Sequence, residues 1–447
     1  MFDARLRTLL SAAAPRKASW AQYLALIGNP NAAESTDLDY KGRQYERKPE
    51  WQGELAKDVA ALANTAGGTL ILGLEEDRAT SIPVRANPEP LTDQLRKTYR
   101  EALAWRMDPP AECDIAFIAE DPADPAPRGL VVISVPPSAR GPHAVAGLKD
   151  VRDGTLRFPY RNDNTTSYMN LTQVKRAIAA SASMAAGRHD VLDAAHRAIA
   201  TDGRGRPGPK LLLTLTPDLP GAFPIEAAGF HAFRQELADA DLPFYGRDVF
   251  RSFGVGPRRF IASTGESRSR HVAHFHADGT AAWVTEGPQV AAFGAGDEAF
   301  PQHARSWHSD HVVMNVLAIL QHLARHRASR AAAAGTATAR LTLDVGNQPA
   351  CGIASDRGSS AHIVFSATEQ QLATGQAGLL LEAAHDGSLL VQAAASLLAD
   401  CYQHFGVVEA EQLTHDGQIN LLAWGRRYHE TIAAWAATTG VEVLTGA

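Results

Sequence analysis

The sequence predicts an α+β fold in two domains, and three observations lead to this prediction. The chain has 447 residues, of which 45% are apolar, so it can bury a substantial core. Strand-like and helical patterns of apolar residues alternate along its first half, which predicts a mixed sheet with packed helices. Glycine and proline then cluster at residues 201–209. We therefore expect one domain over residues 1–185, a helix and Gly/Pro linker over 186–210, and a second mixed α+β domain over 211–447.

A helix and a strand flank a glycine turn in the first domain. Residues 52–64 carry apolar side chains at helical spacing, which predicts a helix packed on a sheet, with Asp58 on its solvent face. The two glycines at 67–68 suit a tight turn with positive φ. Residues 69–74 are typical of a buried strand that emerges at the acidic residues 75–77. Further elements are predicted over 91–105 (helix), 115–118 and 130–135 (strands).

The second half predicts an α+β domain of unknown role: sensing, oligomerisation or partner binding. An Asp-Gly pair at 278–279 predicts a β-hairpin over 271–284. Apolar periodicity predicts helices over 312–323, 389–402 and 419–435, and strands over 341–345 and 362–366. Histidines occur in two groups without the spacing of a metal site, so we expect surface or hairpin histidines there. These groups are His271, His274 and His276, and His308 and His311 with Asp310.

Composition excludes some classes of protein. No apolar run reaches the roughly 18 residues of a membrane span, and charged residues interrupt the N-terminus, so neither a membrane protein nor a signal peptide is predicted. The cysteines, Cys113, Cys351 and Cys401, are too few and too far apart for a disulfide framework. Arginine outnumbers lysine in an alanine-rich chain, which is typical of a GC-rich bacterial genome. We expect a cytoplasmic, bacterial protein.

Charge favours the first half as the place of any nucleic-acid surface. Through Pro209 the chain carries 27 basic and 26 acidic residues, and after it 16 basic and 23 acidic residues. The second half therefore repels phosphates on average, whereas the first half is nearly neutral.

Several motifs of the first half resemble one known domain family. Glu34-Ser35, Leu38-Asp39-Tyr40-Lys41 and Asn64-Thr65-x-Gly67-Gly68 are similar to motifs of the AlbA-like domain that Schlafen proteins share with many bacterial regulators. The resemblance continues through Val135-Pro136, Arg140 to His143, and Arg161 with Thr165, Thr166 and Met169, and covers about residues 33–180. Two positions depart from the family pattern: Asp39 stands where Glu is usual, and Asn162-Asp163-Asn164 replaces an Arg-x-Gly turn.

The acidic residues of this segment allow two interpretations. Glu34 and Asp39 would lie on opposite faces of a regular strand, so they share an ion only if the chain bends at residues 35–37. A third carboxylate from residues 75–77 would complete an oxygen-rich site for Mg²⁺ or Mn²⁺. Alternatively, Asp39 pairs with Lys41, Glu34 caps a turn, and residues 75–77 form a solvated loop.

The resemblance gives these acids a role. In Schlafen nucleases an acidic trio carries metal-dependent RNA cleavage, and the matching residues here are Glu34, Asp39 and most nearly Glu75. Lys41 would neutralise charge on the phosphoryl oxygens.

An ATP site is not expected at the glycine turn. The chain has no Gly-x4-Gly-Lys-Ser/Thr motif. Gly67 and Gly68 follow a helix rather than begin one, so the helix dipole presents its negative end to the turn. A tight connection between helix and strand is the better interpretation.

Basic and aromatic residues near the acids suggest contacts with nucleic acid. Arginine and aromatic side chains can bind phosphates and stack on bases, although they also occur in ordinary exposed connections. The candidate nucleic-acid-binding residues are Lys41, Arg43, Arg47, Lys48 and Arg161.

Two functions follow from the resemblance. The first is a Schlafen-like metal-dependent endoribonuclease that acts on structured RNA such as tRNA, in stress or phage defence. The alternative is a non-catalytic AlbA-like transcriptional regulator that binds DNA or RNA. Either protein could form a homo-oligomer.

Overall fold

The protein folds into two compact units, Met1–Ala186 and Gly187–Ala447. The computed structural model describes residues 4–12, 15–45, 50–146, 155–202, 209–247, 249–264, 271–286, 305–331, 333–344, 351–357, 360–365, 372–379 and 386–445. Both units mix helices and strands, which confirms the predicted α+β class. Among the described residues, no helix combines the length and apolarity needed to cross a bilayer.

The first unit is built on a five-stranded sheet. Its helices are α1 (Ala4–Leu10), α2 (Trp20–Leu24), α3 (Trp51–Ala63), α4 (Asp93–Arg106) and α5 (Leu171–Asp202), the last of which continues into the second unit. Its strands are β1 (Leu38–Lys41), β2 (Gly68–Leu72), β3 (Leu74–Glu76), β4 (Pro83–Ala86), β5 (Glu89–Pro90), β6 (Met107–Asp108), β7 (Asp114–Ala119), β8 (Arg128–Val135), β9 (Ala144–Ala146), β10 (Leu156–Arg157), β11 (Pro159–Asn162) and β12 (Thr165–Tyr168). The sheet runs β1-β2-β8-β5, with β7 also paired to β8.

Strand β1 lies at one edge of this sheet, parallel to β2. Alternation along the strands divides the core into two layers. Leu70 and Leu72 of β2 pack towards α3 and α4, whereas Ile71 packs on the other face with residues of α1 and α2. In β1, Leu38 and Tyr40 join the second layer, so Asp39 and Lys41 point to the face that α3 covers.

Helix α3 matches the predicted helix but is buried on nearly all sides. Asp58, expected on the solvent face, is in fact only 6% exposed. The prediction failed because a single apolar stripe was assumed, whereas the sheet and β11 both contact this helix.

The predicted strand over 69–74 is interrupted at Gly73. This glycine has φ +96°, and the chain after it forms β3, which pairs with β4 in a separate small sheet. Gly67 and Gly68, with φ +73° and +155°, form the tight turn between α3 and β2, as predicted.

The second unit contains a seven-stranded sheet in the order β14-β15-β16-β17-β13-β19-β22. Its strands are β13 (Lys210–Leu219), β14 (Ser252–Gly256), β15 (Arg259–Ser263), β16 (His271–His276), β17 (Ala281–Glu286), β18 (Arg305–His308), β19 (Ala334–Asp344), β20 (Cys351–Arg357), β21 (Ser360–Phe365), β22 (Leu372–Leu379), β23 (Ile419–Asn420) and β24 (Val443–Leu444). Its helices, besides the end of α5, are α6 (Ala227–Ala238), α7 (Ser309–Arg325), α8 (Gly387–Gln403) and α9 (His429–Thr439).

Most predicted elements of this unit are present, with one error. The hairpin is β16-β17, with Gly279 at φ +90° in its turn. The helix predicted over 419–435 is wrong, because that segment holds β23 and short 3₁₀ turns before α9 begins at His429.

Three histidines of this unit lie in its core, two of them in the β16-β17 hairpin where hairpin histidines were expected. His271 and His274 on β16 are 6% and 0% exposed, and His326 after α7 is also 0% exposed. Burial lowers the pKa of His271 to about 4 and that of His326 to about 3. These side chains are therefore neutral in the folded protein at neutral pH.

We expect Gly68→Ala to destabilise the protein by about 3 kcal/mol. A Cβ atom at Gly68 would lie 2.5 Å from the carbonyl oxygen of Asp37, and its φ of +155° disfavours a side chain. Thermal or chemical denaturation measures the change. Gly187→Ala is the matched control, because nothing lies within 4 Å of a Cβ there. Equal stability of the two variants would contradict this account of the turn.

The buried histidines predict that the second unit loses stability as the pH falls from about 6.5 towards 4. Unfolded histidine takes up a proton near pH 6.5, but the folded protein resists it, so protons favour the unfolded state. We expect His326→Gln to reduce the slope of unfolding free energy against pH by up to about 1.4 kcal/mol per unit. The control is His231→Gln, which removes an exposed histidine of the same unit. Denaturant titrations at several pH values test this, and an unaltered slope in His326→Gln would refute it.

Candidate functional site

Asp39 is the centre of the candidate site. Its side chain is 4% exposed, and each of its carboxylate oxygens contacts a cation. Oδ2 lies 2.7 Å from Nζ of Lys41, and Oδ1 lies 3.2 Å from Nη1 of Arg161. Burial alone would raise the pKa of Asp39, but the charges of Lys41 and Arg161 outweigh it and lower that pKa below 3.8. Asp39 is therefore ionised, and its negative charge is already balanced by two cations of the protein.

Arg161 comes from β11, far along the chain, and is also only 4% exposed in its side chain. Its guanidinium donates to Asp39 and to the carbonyl oxygen of Ser35, while its backbone N–H donates to Thr65 Oγ1. We expected Arg161 to contact nucleic acid, but the structure places it inside the domain. Because so little of the side chain is exposed, a phosphate at the surface of the domain does not reach it.

Lys41 connects the site to the surface. Besides Asp39, its ammonium lies 3.7 Å from Oδ2 of Asp58, and 35% of its side chain is exposed. Although burial opposes the charge, Asp58 and Asp39 together raise the pKa of Lys41. It is thus a charged group that remains accessible to a ligand.

Asp58 of α3 belongs to the site although the sequence interpretation left it out. The hydroxyl of Tyr45 donates to its Oδ2 at 2.5 Å, and burial raises its pKa despite the nearby charge of Lys41. The sequence did contain one signal for Asp58. It is an aspartate within the apolar helix that follows the strand of Lys41.

Glu34 approaches Asp39 because the chain turns between them. A bridge between Ser35 and Leu38 forms the bend that the five-residue spacing requires. Oε1 of Glu34 accepts the N–H of Tyr40 at 2.7 Å, and its carboxyl group hydrogen-bonds to Asp39. Burial and the charge of Asp39 raise the pKa of Glu34 to about 9. The pair therefore shares one proton at neutral pH, which Glu34 holds.

The third predicted acid, Glu75, does not join this pair. Its carboxylate binds Arg85 and, at 3.2 Å, Nδ2 of Asn87. The next residue, Glu76, is the one whose charge reaches Glu34. Asp77 accepts hydrogen bonds within its own turn. The sequence predicts an unbroken strand that leads to residues 75–77. The break at Gly73 changes the direction in which these side chains point, so the sequence alone did not show which of the three acids lies near Glu34.

These carboxylates do not form a ready Mg²⁺ or Mn²⁺ site. Within the described parts of the chain, no group of three or more His, Cys, Asp or Glu residues is arranged to hold a metal ion. Asp39 is bound to two cations, and Glu34 keeps its proton, so the pair offers little of the negative charge that a hard cation requires.

The basic residues predicted to bind nucleic acid have different positions. Arg43 is exposed and lies near Glu75, whose pKa it helps to lower. Arg85, on the other side of Glu75, is 65% exposed in its side chain. Arg47 and Lys48 lie outside the described residues.

We expect Glu34→Gln to raise the free energy of unfolding at alkaline pH by about 1 kcal/mol or more. Folded Glu34 keeps its proton up to a pKa of about 9, whereas unfolded glutamate loses it near 4.5. The wild-type protein therefore loses stability as the pH rises between these values. Glutamine carries no such proton, and its amide can still donate to Asp39. Denaturant unfolding near pH 8 and pH 5 measures the gain, which should shrink at the lower pH.

The control for this variant is Glu75→Gln, which removes a carboxylate outside the pair. It should show no gain that grows with pH. Lower stability of Glu34→Gln near pH 8 would show that Glu34 is ionised in the folded protein.

Comparison with known protein families found a match to part of the chain. Residues 34–170 match the family model described as Schlafen, AlbA_2. Among curated proteins, none matches the chain. The matched segment begins at Glu34 and includes both Asp39 and Arg161, so the whole site lies within it. This part of the chain is therefore similar to the Schlafen AlbA_2 family.

Proposed function

We propose that the Schlafen AlbA_2-like domain of this protein binds nucleic acid and does not cleave it through a metal ion. Domains of this family are associated with nucleic acid, which supports such a partner in general. The contact of Asp39 with both Lys41 and Arg161 carries the second part of the proposal. A carboxylate held by two cations has little net charge left with which to bind Mg²⁺.

The surface next to the site suits a phosphate backbone. Lys41 is partly exposed, and Arg43 and Arg85 are exposed beyond it. Arginine presents a planar fork of donors that matches phosphate oxygens. Glu75 lies near both arginines and offsets part of their charge, and the phosphate contacts of the arginines would depend on salt concentration.

A metal-dependent endoribonuclease acting on structured RNA such as tRNA is the second candidate. One observation favours it: Oε2 of Glu76 is buried beside Glu34 and has no hydrogen-bond partner among the described residues. A Mg²⁺ or Mn²⁺ ion would satisfy that oxygen, but Glu34, Asp39 and Glu76 are not arranged to hold one in the structure, so their carboxylates would have to move together first. Metal binding would also require Glu34 to lose its proton and Asp39 to loosen its contacts with Lys41 and Arg161.

Three points remain predictions: that the nucleic acid is RNA rather than DNA, that the protein regulates transcription, and that it forms a homo-oligomer. In this proposal the second unit acts as a sensor or binds a partner.

The proposal predicts tight, salt-dependent binding of tRNA or another folded RNA. We expect Arg43→Gln or Arg85→Gln to weaken binding about threefold to tenfold and to lower the slope of log affinity against log salt by about one. Fluorescence anisotropy at several salt concentrations measures both quantities. The control is Arg247→Gln, an equally exposed arginine of the second unit. Affinities that do not change with salt would refute a phosphate contact.

Incubation of the same RNA with Mg²⁺, Mn²⁺ or EDTA distinguishes the two candidates. The binding proposal expects intact RNA under all conditions. Cleavage that requires the metal and is lost in Glu76→Gln, but kept in Glu75→Gln, would overturn it in favour of the nuclease.

A further inference from the structure

Trp105 lies on the surface of the first unit although tryptophan is rarely left exposed. It is 86% exposed, near the C-terminal end of α4. The same helix buries Leu95, Tyr99 and Leu103, so its apolar face is complete without Trp105. Tryptophan is enriched at surfaces that contact other molecules, because its indole is apolar and also carries an N–H donor.

The indole lines a groove of about 590 Å³ between the end of α4 and the first turn of α3. This volume is within the range of small-ligand sites. Arg106 and Gln52 connect the two helices, since Nε of Arg106 donates to Oε1 of Gln52 at 3.3 Å. The other residues that line the groove are Thr98, Glu101 and Ala102.

The chemistry of the groove matches a nucleotide. The indole offers a flat surface for stacking, and Gln52 and Glu101 offer an amide and a carboxylate that can bind the edge of a base. Arg106 lies beside the indole to contact a phosphate. The first turn of α3 adds the partial positive charge of a helix N-terminus.

The charge around the groove also favours a polyanion. Helix α4 carries four basic and two acidic side chains. Among the basic ones, Lys97 is 70% exposed in its side chain, and Arg100 is also exposed. These groups extend along the helix that carries the indole, so a bound strand could continue along it.

We infer that Trp105 and the groove beside it bind one unpaired nucleotide of an RNA or DNA strand by stacking. This inference rests on the proposed nucleic-acid binding and assigns it a specific contact. A base inside a duplex is stacked on its neighbours and cannot enter the groove, so this contact selects single-stranded segments such as loops and ends.

The test compares Trp105→Ala with wild-type protein on two probes, a single-stranded 12-nucleotide RNA and a blunt duplex containing the same strand. We expect Trp105→Ala to weaken binding of the single strand about tenfold and to change binding of the duplex less than twofold. Trp105→Phe keeps an aromatic ring and should retain most of the affinity. Leu171→Ala removes another exposed apolar side chain of the first unit, 69% exposed, and serves as the control.

Each other result overturns the inference. If wild-type protein binds single-stranded RNA and Trp105→Ala binds it equally well, the groove is not the contact, although the proposed function stands. Equal losses on both probes would exclude stacking on an unpaired base. A dimer that dissociates in Trp105→Ala, with RNA binding unchanged, would assign the surface to a second copy of the chain. If wild-type protein binds neither RNA nor DNA, the proposed function fails as well.

Discussion

The buried ion pair of Asp39 with Arg161 is the contact on which the first unit depends. It joins an edge strand near the start of the domain to a hairpin near its end. Lys41 extends the contact to Asp58, so α3 is tied to the same centre. Removing one member of a buried pair commonly costs about 3–5 kcal/mol, because the other charge is left without compensation. The domain therefore holds together as one segment, from Glu34 to the residues that follow Arg161.

The same contact determines what the site can do. Asp39 is held by Lys41 and Arg161, Asp58 lies near Lys41 and Lys57, and Glu34 is neutral because it keeps its proton. A site with this balance does not repel a phosphate, yet it also does not attract a divalent cation strongly. A metal ion at Asp39 would have to compete with Lys41 and Arg161 for its carboxylate.

Periodicity in the sequence was sufficient for α4, which buries one regular face, and the Asp-Gly pair was sufficient for the β16-β17 hairpin, whose strands are buried on both faces. The approach of Glu34 to Asp39 was also predictable, because their spacing allows it only with a bend. Other features depended on tertiary contacts. Glu75 and Glu76 exchange faces when the strand breaks at Gly73. The segment at 419–435 has helical spacing, but the chain turns there several times before α9 begins.

Glu34 has a second role because β1 is an edge strand. An open sheet edge presents backbone N–H and C=O groups that can pair with a strand of another molecule, and this pairing leads to aggregation. On β1 the outward N–H of Tyr40 is taken by the carboxyl group of Glu34, and the outward groups of Leu38 pair with Ser35. A local turn and one acidic side chain thus occupy the edge that a neighbouring chain would otherwise extend. Glu34 and the turn after it therefore cover this sheet edge as well as shaping the site.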